Sequence, residues 1–167
     1  MEGAEMTIEY PYGTSERILA FIPNVTLKAG FLGFGSRQHS LVITNNRILF
    51  ARITVAQLKE LSQQAKAEAQ SQGKGRMAQM LANPHVYDRL VERYAQWGPE
   101  GTLADNPKNF AVDRATVTKV KLKTTTGPEG GVGSDMLILK TTGKTYKLTL
   151  GGSKNAAREA LETAGLI

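Results

Sequence analysis

The stretch Leu41-Val42-Ile43-Thr44-Asn45-Asn46-Arg47-Ile48-Leu49-Phe50 sets two apolar, β-branched runs on either side of Asn45-Asn46. Such runs favour extended backbone, and asparagine tolerates positive φ better than other non-glycine residues. The stretch therefore predicts a β-hairpin closed by a two-residue type I′ turn. Upstream, Ile18, Ala20 and Ile22 alternate with Leu19 and Phe21, apolar on both faces. That pattern predicts a strand covered on each side or closing a barrel. Arg17 to Thr54 thus reads as a block of strands.

From about Val55 to Trp97 the composition changes to Ala, Gln, Lys, Glu and Leu, all good helix formers. Val55, Leu58, Leu61, Ala65 and Ala69 recur at helical spacing and define one narrow apolar stripe. Gly73 and Gly75 should interrupt it, Met77, Met80 and Leu81 suggest a short helical piece, and Asn83-Pro84 reads as an N-cap followed by Pro at the first helical position. Tyr87, Leu90, Val91, Tyr94 and Trp97 then share a helical face, with Gly98-Pro99 as the stop.

Strands return after this helical segment. Asn109 to Val112 is a short extended piece, and Thr116 to Thr125 alternates, with Val120 and Leu122 on one face and Lys119, Lys121 and Lys123 on the other. Gly127 to Gly133 is a connection, and Met136 to Lys140 with Thr145 to Leu150 make a hairpin around Thr142-Gly143. Ser153 can N-cap a last helix whose apolar face is Ala156, Ala157, Ala160, Leu161 and Ala164, ended by Gly165.

This order of strands, a Thr-Asn-Asn-Arg hairpin, more strands and one C-terminal helix resembles the pleckstrin-homology (PH) superfold, in particular its prokaryotic PH-like and GRAM-like branch. The opening Glu16-Arg17-Ile18-Leu19, the hairpin Leu41 to Phe50 and the later Leu137-Ile138-Leu139-Lys140-Thr141-Thr142-Gly143 carry the resemblance. It implies an α+β fold: a bent antiparallel barrel of about seven strands, capped by a C-terminal helix. It also implies a single domain over residues 1–167, with residues 55–106 as a helical insertion between the third and fourth strands. By the same resemblance Arg47, after the turn, is mostly structural, bonding carbonyls or a carboxylate near the barrel mouth, with a ligand role as the alternative.

Composition narrows the function classes. The 167 residues are 41% apolar and 22% charged, ordinary for a globular domain, and no apolar run approaches the roughly eighteen residues of a membrane span. Glu2, Glu5 and Glu9 stand where a secretory signal would be basic and apolar, and there is no cysteine for disulfides, thiolate metal sites or nucleophilic catalysis. A cytoplasmic protein is the expectation. His39 and His85 lie in different segments, no Gly-x-Ser-x-Gly elbow occurs and the carboxylates do not pair, so neither a metal nor an enzymatic site is expected, and no cofactor.

Two basic features and one aromatic face remain as candidate binding residues. Of the net charge of +6, most falls after residue 108, where nine basic groups oppose five acidic ones. The stripe Lys119, Lys121 and Lys123, joined by Lys147 on a neighbouring strand, either meets an anionic partner or is a solvated face that blocks edge pairing. Nucleic acid is the weaker partner, because no aromatics interleave the lysines. Phe31, Leu32 and Phe34 stand in a glycine-rich connection flanked by Lys28 and Arg37. In the superfold this is the loop between strands one and two, which lipid-binding members use to hold phosphoinositide headgroups with a Lys, several residues, then a basic-x-Arg. Lys28 and Arg37 match the first two positions, and His39 stands where the last Arg would be. Either the rings insert into an anionic membrane or they fold back on the protein, which is the commoner fate of large apolar groups. Tyr87, Leu90, Tyr94 and Trp97 could cover their own barrel or meet a second chain. The reading as a whole is a non-enzymatic binding or assembly module for a protein partner or self-association. The alternative is an anionic membrane or lipid headgroup.

Overall fold

The computed structural model of the chain describes residues 16–28, 35–71, 73 and 86–167. Strands β1 (Ile18–Leu27), β2 (Arg37–Thr44) and β3 (Arg47–Arg52) are followed by helices α1 (Val55–Ser71) and α2 (Val86–Ala104). Then come β4 (Phe110–Asp113), β5 (Val117–Thr124), β6 (Asp135–Thr141), β7 (Thr145–Leu150) and helix α3 (Lys154–Thr163). Phe31, Leu32, Phe34, His85 and the helical piece expected around Met77 to Pro84 lie outside the described residues.

The seven strands form one antiparallel sheet in the order β4-β3-β2-β1-β7-β6-β5. Inner residues of both ends, among them Leu41, Ile43, Phe50, Val112, Leu137, Leu139 and Leu148, share one core with Ala157 and Leu161 of α3 and with Ala164 at its C-cap. The fold is thus α+β with a C-terminal helix on the core, as expected, but the sheet is open: β4 and β5 do not pair. The reason is local. β4 has only four residues before a 3-10 turn at Arg114–Thr116, and α3 covers the gap from inside. Lys154 Nζ donates to Thr124 Oγ1 at one end of the gap, and Arg114 Nη2 donates to the Ala164 carbonyl at the other. Ser153 caps α3 by accepting from the Ala156 N–H.

The Asn45-Asn46 hairpin stands where expected, but its turn is not type I′, since neither asparagine has positive φ. Thr44 supplies the alternative. Its buried Oγ1 accepts from the N–H groups of Asn46 and Arg47, a local side-chain bond that organises the turn without left-handed backbone. Thr141 does the same for Gly143 and Lys144 in the β6–β7 hairpin.

β2 and β3 are buried on both faces. Their outer residues Val42, Leu49 and Ala51 form a second core with Leu61 of α1 and Val86, Leu90 and Tyr94 of α2, so the inserted helices pack on their own chain's sheet. The expected stripe of α1 holds for Leu61, Ala65 and Ala69, while Val55 at its start is 84% exposed. The expected stop at Gly98-Pro99 is a kink instead: Gly98 takes φ 71°, and Pro99, which needs no N–H partner, lets the helix resume to Ala104. Among the described residues no helix is long and apolar enough to cross a membrane.

β1 is bent by a bulge between Ile22 and Val25, where Asn24 takes φ 58°. Gly151 donates its N–H to the Asn24 carbonyl at 2.8 Å, and a Cβ there would run into the Asn24 side chain, so glycine favours this close approach. Beyond the bulge β1 pairs on both sides, with β2 and with β7.

Candidate functional site

β5 alternates as its sequence requires. Val120 and Leu122 pack on the inner core, while Lys119, Lys121 and Lys123 stand exposed on the outer face. Register then adds residues distant in the chain. Lys119 pairs with Lys140 of β6, and Lys121 pairs with Ile138, which itself pairs with Lys147 of β7. Lys28, just past β1, donates its N–H to the Lys147 carbonyl and continues the Leu27-to-Leu148 register, so alternation puts it on this outer face. Six exposed lysines therefore share one face, and none has a carboxylate partner among the described residues. Directly opposed like charges such as Lys119 and Lys140 disfavour the pairing.

The lysine stripe read from sequence is thus the edge of a larger surface. The signal for Lys140 was its phase in the strand Met136 to Lys140. Nothing in the local sequence ties Lys28 to it.

The structure divides the two cations of the expected headgroup site. Arg37 pairs with Leu27, whose side chain reaches the inner core, and its Nη1 donates to the neighbouring Ser36 carbonyl. Lys28, one residue on, faces the other way. His39 is a packing residue: it is buried, edge-on to Phe50 and Phe110, with its Nδ1 3.0 Å from the Arg37 carbonyl. Burial holds its pKa below the ordinary imidazole value. Phe31, Leu32 and Phe34 lie outside the described residues.

Arg47 has the carboxylate partner that its place after the turn implied. Its Nε and Nη2 donate to both oxygens of the buried Glu16, at 2.9 and 2.6 Å, and Nη2 also donates to Glu100 of α2 at 2.6 Å. Burial alone would raise the Glu16 carboxyl, but hydrogen bonds from Arg47 and Thr44 outweigh it and hold the group below its ordinary value. The bond to Glu16 in turn raises the Arg47 guanidinium. The cluster ties the start of β1, the hairpin and α2 together, with one guanidinium held between two carboxylates.

Of the aromatic face on α2, Leu90 and Tyr94 are buried in the chain's own outer core and Tyr87 is half-buried, accepting from Gln38 Nε2. Trp97 is 38% exposed beneath the Arg93 guanidinium. Two of the four residues expected to form an interaction face are therefore already covered.

No protein-family model matches this chain, and no curated protein does. Among solved structures it is similar to the C-terminal domain of an unknown protein from Leishmania infantum, at 11% identity and TM-score 0.44 over 89% of this chain and 84% of that one. That likeness is too distant to transfer fold or function.

Proposed function

We propose that this chain is a PH-like, GRAM-like binding module of the cytoplasm, without enzymatic activity, that holds an anionic partner on the outer lysine face of β5, β6 and β7. One observation carries the reading: Lys28, Lys119, Lys121, Lys123, Lys140 and Lys147 share a sheet face with no carboxylate partner among the described residues. The strand order and the C-terminal helix on the core support the PH-like part. Self-association through α2 loses support because Leu90 and Tyr94 already cover the chain's own sheet.

Lysines are point charges on long stems, suited to attracting an acidic surface and bringing it in quickly. Binding of this kind weakens steeply with salt, because exposed charges are screened over about 8 Å at physiological ionic strength. An anionic membrane is the second reading, favoured by the exposed lysines of this sheet face with Lys28 beside them. The test compares the chain with a Lys119→Gln, Lys121→Gln, Lys123→Gln variant for retention on polyglutamate and on phosphatidylserine vesicles across a salt series. The native chain should be retained on one of them at low salt and the variant lost. Equal retention of the two would refute the assignment.

A further inference from the structure

The lysine face and the free edge of the sheet coincide on one strand. β5 ends the sheet and bonds to β6 alone, so alternate N–H and C=O groups along its eight residues point away from the sheet. The Val117 N–H is taken by the Arg114 carbonyl of the 3-10 turn, and among the described residues no hydrogen bond from outside the sheet reaches the backbone of residues 118–123. α3 covers the inner side of this opening and is tied to β5 at Thr124, past the last lysine. An edge of this length is ordinarily shortened, covered or charged to stop another chain from adding to it.

The charges here exclude one class of added strand and select another. A second copy of β5 would set lysine against lysine across the new pairing. An extended chain with a carboxylate at every second residue has the two-residue period of Lys119, Lys121 and Lys123, about 7 Å, and meets each of them across the pair. We propose, on the basis of the function proposed above, that the anionic partner is an acidic polypeptide that adds to β5 as an eighth strand with Asp or Glu at alternate positions. A bilayer surface would use the lysines but leave the edge unpaired. A nucleic acid would find no aromatic platform on this face, since Tyr146 packs inward against Phe50 and Phe110.

The test uses the full chain and a fluorescent peptide of about ten residues alternating Glu and Thr, long enough to span one strand. A control peptide carries Pro in place of every Thr, keeping the charge but lacking those N–H donors. Anisotropy should show the Glu-Thr peptide binding about tenfold more tightly than the control, as a few cross-strand pairs and edge bonds imply. Lys121→Glu should lose about as much without lowering the melting temperature, and a Lys-Thr peptide should bind a Lys119→Glu, Lys121→Glu, Lys123→Glu variant. In the native complex the backbone amides of residues 118–123 that point away from β6 should gain protection from exchange. Equal binding of the two peptides, with lysine dependence, would overturn the added strand while leaving the lysine face as the binding surface. Retention on phosphatidylserine vesicles alone would overturn it in favour of the membrane. No lysine-dependent binding to either would overturn both proposals.

Discussion

The β2–β3 and β6–β7 hairpins are both closed by a threonine whose hydroxyl gathers the turn, Thr44 in one and Thr141 in the other, and both send alternate residues into one shared core. They part on the outer side. There β2 and β3 carry Val42, Leu49 and Ala51 beneath two helices, whereas β6 and β7 carry Lys140 and Lys147 into solvent. The inner residues and the turns specify the sheet, and the outer positions are then open to different use. One half supports an insertion and the other presents charge.

The sharpest way to break this comparison is to strike what the halves share. Leu161 is 1% exposed where both meet α3, and Leu161→Asp should cost on the order of 4 kcal/mol and unfold the chain, as read by circular dichroism. An unchanged melt would mean that α3 does not complete the core. Leu90→Ala strikes only the outer core and should cost about 3 kcal/mol. Hydrogen exchange should then rise in α1 and α2 well before β6 and β7, and a uniform rise would show that the halves are not separable.

Glu16→Gln probes the ion cluster that joins hairpin and insertion, and about 2 kcal/mol should be lost at neutral pH as Arg47 gives up its most buried partner. The folded carboxyl lies below its unfolded value, so the unfolded chain binds more protons as pH falls, and the native advantage is present above the unfolded pKa. It disappears as pH drops through the depressed folded pKa. The gap in melting temperature between native and variant chains should therefore narrow in acid, and a gap that widened would contradict the assignment. Smallest of all, Lys119→Thr removes the like-charge pair with Lys140 and should stabilise by about 0.3 kcal/mol at low salt, an effect that added salt should erase. Destabilisation would mean that Lys119 has a partner.

Much of this plan was legible because it is local. Asn45-Asn46 and Thr142-Gly143 mark the hairpins, Ser153 marks the start of α3, and the phase of Val120 and Leu122 gives the faces of β5. The turn type was misread because the asparagines drew attention from Thr44, whose hydroxyl makes positive φ unnecessary. Helical spacing gave the stripe of Leu90 and Tyr94 but not its destination, since a stripe does not carry the address of the surface it covers. The joining of Lys28 to Lys147, and the parting of Lys28 from Arg37, rest on pairings between residues far apart in the chain, which no local pattern encodes.

The bulge at Asn24 also bears on the order in which the chain can assemble. Ile18 to Ile22 find their partners in β2, a short loop away, whereas the β7 side of Val25 to Leu27 waits for residues up to Leu150. On a ribosome the first three strands and the two inserted helices can therefore come together while most of the lysine half is still unmade. Closure of β1 on β7 is the long loop that contact-order arguments make slow. Until it closes, the inner side of β1 to β3 faces solvent without α3. Slower synthesis of the second half should lengthen the life of that exposed intermediate and its need for a chaperone.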